Sequence, residues 1–157
     1  MKSRDAVFSL EREYRYVLWR VWDEERPMVN IIGLNPSTAN EITDDPTMRR
    51  CTSFAESMGY GGYYMTNLFA FRTAYPTELF KANDPVGIDN DKWIVEISSR
   101  VDKVVLAWGV NGVFRNRDND VYELVKSKSF CLGLTKNGFP RHPLYLRADT
   151  RIQKFAK

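Results

Sequence analysis

Two proline-broken runs and one strand-end asparagine hold most of the chemistry-bearing residues of this chain. The first run is Gly33-Leu34-Asn35-Pro36-Ser37-Thr38, and the second is Gly138-Phe139-Pro140-Arg141-His142-Pro143-Leu144-Tyr145-Leu146, which contains the only histidine. Pro36 fixes the turn after Asn35 and directs the amide into a pocket, where it can hold a water or a polar substrate atom. The plainer alternative is a turn, because Asn-Pro dipeptides initiate turns. The run has neither the glycines nor the lysine of a phosphate-binding loop. A neutral imidazole at His142 can donate a hydrogen bond to an oxyanion. No His/Cys cluster supports a metal site and no Ser-His-Asp arrangement is evident, so neither metal nor cofactor is expected.

Between the two runs lies Thr66-Asn67-Leu68-Phe69-Ala70-Phe71-Arg72. Asn67 ends an apolar strand, where an unpaired amide costs roughly 1–3 kcal/mol. Its donor and acceptor, side by side, match the edge of a nucleobase. Phe69 and Phe71 either supply a stacking face or belong to the core. Asp44, Asp45 and Thr47 form a compact acidic patch that could activate water or bind a cation, although Asp45 is also placed to cap a helix. Arg49 and Arg50 follow in the first turns of that helix, where a positive charge gains nothing from the helix dipole but suits an anion such as phosphate.

These residues need strands and helices to position them. Arg15 to Trp22 is rich in β-formers, and Met28 to Leu34 is a second, more apolar strand that could pair with it as a hairpin. Asp45-Pro46 opens a helix carrying Met48, Cys51, Phe54, Ala55 and Met58 at helical spacing, ended by Gly59. Tyr63 to Phe69 reads as a strand, and a long loop with Pro76 and Pro85 follows. Ile88 to Val101 is a helix with Trp93 and Ile97 inward. Lys103 to Trp108 is a buried strand, Asp118 to Lys128 a helix, and Phe130 to Leu134 a short strand. This alternation predicts an α/β layered sandwich with a mostly parallel central sheet. Ligands of such sheets lie beyond the carboxyl ends of the strands, here Asn35, Asn67, Gly109 and the segment from Thr135.

The chain has 157 residues, 43% of them hydrophobic and 27% charged, with a formal net charge of +3. That composition fits one globular domain over residues 1–157 and excludes a disordered tail. The mild basicity permits phosphate contact. Cys51 and Cys131 are too few for a disulfide framework, and the N-terminus runs into no long apolar stretch. A cytoplasmic protein without membrane association is expected; the oligomeric state is left open.

The three segments, in this order, resemble the uracil-DNA glycosylase superfamily. Gly33-Leu34-Asn35-Pro36-Ser37 is similar to the Gly-Ile-Asn-Pro-Gly motif of its mismatch-specific branch. Thr66-Asn67 is similar to the Thr-Asn that ends a mid-chain strand, and His142-Pro143-Leu144 to a motif that begins His-Pro-Ser. Val104 to Gly109 resembles the strand and glycine before the last helix. More closely, Tyr14 to Leu146 resembles an uncharacterised bacterial and phage family, the domain of unknown function 1643. The segments that carry this likeness are Asn-Pro-Ser-Thr-Ala, Asp-Asp-Pro-Thr with Arg-Arg-Cys, Asn-Leu-Phe-Ala-Phe-Arg, and Pro-Arg-His-Pro-Leu-Tyr.

The glycosylase resemblance implies a three-layer α/β/α sandwich, with Asn35 positioning the attacking water, Asn67 recognising the base and His142 stabilising the departing base anion. Ser37 stands where a glycine is usual, and Leu144 replaces a serine. The first motif lacks a carboxylate, so Asp44 or Asp45 would have to assist. An enzyme of this kind would extrude a base from DNA, or bind a nucleotide, and stack the base on Phe54 or Phe71 with Phe69, Pro36 and Ser37 beside it. Arg49, Arg50, Arg72 and Arg141 would meet phosphates, and Leu144 or Tyr145 would wedge the helix stack. Two alternatives stand beside this enzyme: a module that binds a nucleotide or modified base without cleaving it, and an interaction protein whose tryptophans fill the core.

Overall fold

A computed structural model describes residues 1–147 and 149–157, apart from the side chain of Tyr145. The chain is mixed α/β. Its strands are β1 (Ser3–Phe8), β2 (Arg15–Val21), β3 (Met28–Gly33), β4 (Gly62–Asn67), β5 (Val104–Leu106), β6 (Ser129–Cys131) and β7 (Gln153–Lys154). Its helices are α1 (Pro46–Ser57), α2 (Pro76–Lys81), α3 (Asn90–Ser99) and α4 (Arg117–Val125). The strands form one seven-stranded sheet in the order β1-β2-β4-β3-β5-β6-β7.

The parallel pairing expected of most of the sheet forms its centre, with antiparallel strands on both flanks. β4, β3, β5 and β6 run parallel, while β1, β2 and β7 join the flanks antiparallel. The expected hairpin of β2 with β3 does not form, because β4 lies between them. β3 is buried along nearly its whole length. Such a strand belongs in the middle of a sheet, where both faces are covered. β1 escapes a sequence reading because Ser-Arg-Asp-Ala-Val-Phe is a polar, partly exposed edge strand. The six-residue α2 is hidden in the expected Pro76–Pro85 loop, its local signals being the proline at its start, Glu78 in the first turn and Lys81 in the last.

Side chains alternate across the sheet. Val29, Ile31, Tyr63 and Met65 join Met48, Cys51, Phe54 and Ala55 of α1 in one apolar cluster. Ile32, Val104 and Leu106 join Ile94 of α3 and Val121 and Val125 of α4 in another. Within the second face, the fully buried Asn30 satisfies its amide inside the fold. Its Nδ2 donates to Ser98 Oγ (3.1 Å), and its Oδ1 accepts from Thr66 Oγ1 (3.1 Å).

β2 departs from simple alternation. Val7 pairs with Val17 but Phe8 pairs with Arg15, so one step of β1 faces two of β2 and Tyr16 is the extra residue of a β-bulge. The bulge reverses the parity of the strand below Val17. Arg15 therefore shares a face with Leu18 and Arg20, and the two arginines reach consecutive carbonyls, Ala39 and Asn40.

The packing of α1 generates a prediction. Cys51 is wholly enclosed, and burial pushes its thiol up to about 12. Alkylation of the native protein at mildly alkaline pH should leave Cys51 unmodified by mass spectrometry, and denaturation should expose it. Modification of native Cys51 at the rate of a free thiol would contradict this packing.

Candidate active site

The carboxyl ends of the central strands open onto a cavity of about 500 Å³ on the α1 side of the sheet. Asn35, Asn67 and His142 all line it, as do Pro36, Ser37, Asp45 and Leu144. Each arrives on a different connection, and each is held by backbone hydrogen bonds.

Asn67 ends β4 directly opposite Gly33 of β3. Beyond this pair the ladder continues, with Leu68 N donating to Gly33 O (2.9 Å) and Phe69 N to Leu34 O (3.0 Å). From the other face, Asn90 Nδ2 donates to the carbonyls of Asn67 and Leu68 (3.0 Å each), and Arg117 Nε to that of Leu68 (3.0 Å). The backbone at Asn67 is thus anchored, yet its side chain is not. Asn67 is 1% exposed, and among the described residues neither Nδ2 nor Oδ1 has a hydrogen-bond partner. Gly33 makes room for this amide: a Cβ there would lie 2.8 Å from Asn67 Oδ1 and 2.6 Å from Met65 Cε. Buried polar side chains are normally paired. Asn30, one strand away, obeys that rule and Asn67 does not.

Asn35 is fixed in the opposite manner. Its Nδ2 donates to the carbonyls of Thr73 (2.9 Å), Pro36 (3.1 Å) and Phe71 (3.4 Å), which ties the Asn-Pro turn to the segment after β4. Three carbonyls around one nitrogen set the amide orientation, so only Oδ1 remains to accept a hydrogen bond.

His142 stands before a single 3₁₀ turn, Pro143–Tyr145, and its Nδ1 accepts from Leu144 N (3.2 Å). An accepting Nδ1 places the proton of a neutral ring on Nε2. Burial lowers the imidazole pKa, and the nearby Asp45 only partly opposes this, so the neutral donor form prevails at neutral pH. The loop is docked through Gly109, whose N donates to Pro140 O (3.0 Å) and whose φ of 73° favours glycine.

Both carboxylates of the acidic patch have partners within the fold. Asp44 lies outside the cavity and pairs with Arg20, at 3.0 Å from Nε and 2.9 Å from Nη2. Asp45 does line the cavity, but it caps α1: Oδ1 accepts from Met48 N (2.9 Å) and Oδ2 from Ala39 N (3.4 Å).

The phenylalanines are also placed elsewhere. Phe54 and Phe69 are core residues, and Phe71 is half-buried along a neighbouring groove. Trp108 is also a core residue, as expected of the tryptophans, and it lines the cavity as well. None of the four arginines expected to meet phosphate lines the cavity. Arg49 donates to Asp44 O (3.3 Å), Arg50 to Leu146 O, and Arg141 to Leu134 O (2.9 Å). Arg72 lines the neighbouring groove and donates to Arg12 O (3.1 Å). Leu144 faces the cavity rather than standing out as a wedge, and the Tyr145 side chain lies outside the described residues. Among the described residues, no group of His, Cys, Asp and Glu is arranged to hold a metal ion.

One arginine does line the cavity, and sequence reasoning missed it. Arg15, at the start of β2, is 2% exposed. The available signal was an arginine interrupting the β-formers of Arg15 to Trp22; the bulge that turns it inward left no signal.

The model of the family described as "Protein of unknown function (DUF1643)" matches residues 15–144. The chain belongs to this family. No curated protein and no solved structure matches the chain. The matched DUF1643 segment contains every cavity-lining residue discussed above, from Arg15 to Leu144.

The buried imidazole generates a prediction. Because the folded-state pKa of His142 is lowered from 6.5, its contribution to stability is complete above about that pH and is lost as pH falls through the folded value. Urea unfolding should therefore show wild type losing more stability below about pH 6.5 than His142→Gln does. Parallel pH profiles for the two proteins would contradict a buried neutral imidazole.

Proposed function

We propose that this DUF1643 protein recognises a nucleobase in the cavity beyond β3, β4 and β5, on a uracil-DNA glycosylase-like three-layer α/β/α arrangement. The observation that carries the proposal is Asn67, a rigidly mounted amide whose donor and acceptor are both buried and unpaired. A base edge offering an acceptor beside a donor would satisfy both atoms at once. A site that leaves such groups unpaired rejects ligands lacking the matching pair. His142 and Trp108 line the same cavity. The cavity volume lies within the usual range for small-molecule sites, roughly 300–1,000 Å³.

Cleavage of the N-glycosidic bond is a second reading, and the placement of Asn35 and His142 in one cavity favours it. In that reaction the C–N bond breaks with its electron pair passing to the base, whose developing charge is stabilised by His142. A water held at Asn35 Oδ1 bonds to the sugar carbon, and its proton ends on the departed base. Asp44 pairs with Arg20 outside the cavity and Asp45, which lines it, caps α1, so recognition without turnover is the stronger reading.

Calorimetric titration with free nucleobases and nucleosides tests the proposal. We expect one base to bind, and Asn67→Ala to weaken it by about 1–3 kcal/mol, roughly 5- to 150-fold. Equal affinity in wild type and variant, or no binding of any base, would overturn it. Incubation with uracil-containing, mismatched and hypermodified oligonucleotides tests the second reading. Abasic product that disappears in Asn35→Ala and His142→Ala supports cleavage, and no product from any substrate refutes it.

A further inference from the structure

β2 carries two buried arginines with very different surroundings. Arg20 is fully enclosed and fully engaged: Nε and Nη2 meet Asp44, Nη2 meets Asn40 O (2.7 Å), and Nη1 meets Trp19 O (2.9 Å). Among the described residues, Arg15 makes one hydrogen bond, Nη1 to Ala39 O (3.1 Å). Its Nε is sealed from solvent without a partner, and the residue lines the cavity. No carboxylate lies within ion-pair distance of Arg15 among the described residues. The nearest acid, Asp45, turns its two oxygens to the amides of Met48 and Ala39.

A buried charge without a partner is among the most destabilising features a fold can keep. Burial lowers this guanidinium to about 10, which leaves it protonated at neutral pH. Its position is also built: without the Tyr16 bulge, Arg15 would fall on the opposite face of the sheet. Bulges re-aim side chains in this way beside functional sites. The start of α1, with Thr47 and Met48, lines the same cavity, where the Asp45 carboxylate already takes the Met48 amide and leaves the guanidinium as the group that suits an anion. A guanidinium offers the fork geometry that fits a phosphate or carboxylate.

We infer that Arg15 is an anion-binding residue, and that the ligand is a free mononucleotide whose phosphate reaches Arg15 while its base meets Asn67. The base half of this inference rests on the function proposed above; the anion half does not. The arginines expected to track a nucleic-acid backbone lie outside the cavity, whereas Arg15, which lines it, is enclosed. That contrast favours a small anion over a polymer, whose phosphates are met by exposed cations.

Titration calorimetry at fixed ionic strength separates the two halves. The probes are the four deoxynucleosides, their 5′-monophosphates, inorganic phosphate and a short oligothymidylate. We expect one monophosphate to bind wild type at least about tenfold more tightly than its nucleoside, as a charge-assisted hydrogen bond allows. Inorganic phosphate should compete with it. Arg15→Lys should keep part of that advantage, and Arg15→Met should lose it while binding the nucleoside as wild type does. Equal affinity for nucleoside and monophosphate in wild type overturns the anion site but leaves the base reading standing, and it needs no variant to fold. Binding of inorganic phosphate with no preference for any base overturns the base reading and supports Arg15. Salt-sensitive binding of the oligonucleotide alone overturns the mononucleotide.

Discussion

The close approach of Gly33 to Asn67 is the constraint on which the cavity depends. In the parallel register of β3 and β4 these residues stand opposite each other, and the missing Cβ leaves space for an amide that nothing in the fold engages. Asn90 and Arg117 clamp the adjacent carbonyls from the other face of the sheet, so the amide cannot relieve itself by backbone movement. Everything else at the site is arranged around this fixed point: the Asn35 turn tied to the segment after β4, and the His142 loop docked on Gly109.

The same economy of partners separates structural from functional polar groups throughout the molecule. Asn30 and Arg20 are as buried as Asn67 and Arg15, but their hydrogen-bonding atoms meet partners within the fold. Burial alone therefore marks nothing here. Asn67 and Arg15, each with sealed atoms that lack a partner among the described residues, line one cavity. Asp44 illustrates the converse. As a free carboxylate it invites a catalytic role, and as the counter-ion of Arg20 it holds the chain that leads into α1.

The sequence made the strand-end residues readable because apolar runs broken by Asn-Pro, Thr-Asn and Arg-His-Pro locate the carboxyl edge of a parallel sheet. α1 was readable for a similar reason: Asp45 and Pro46 are local start signals, and Met48, Cys51 and Phe54 keep helical spacing. What escaped depends on long-range pairing. The bulge at Tyr16 is visible only in the register against β1, so a strand read by strict alternation sends Arg15 to the wrong face. The pairing of Arg20 with Asp44 spans the chain from β2 to the start of α1, and no local pattern announces it. Phe69 and Phe71 read as stacking platforms because they follow Asn67 in sequence, yet Phe69 packs into the core with Trp108, and helix spacing on α1 carries Phe54 into the core as well.

The central claim is that the Asn67 amide is kept unpaired for a ligand rather than for the fold. Its most direct test is the unfolding free energy of Asn67→Leu by urea denaturation without ligand. Replacing an unsatisfied buried amide with an apolar side chain of similar size should stabilise the protein by about 1–2 kcal/mol. A variant less stable than wild type would contradict the account, since it would mean that the amide supports the fold itself.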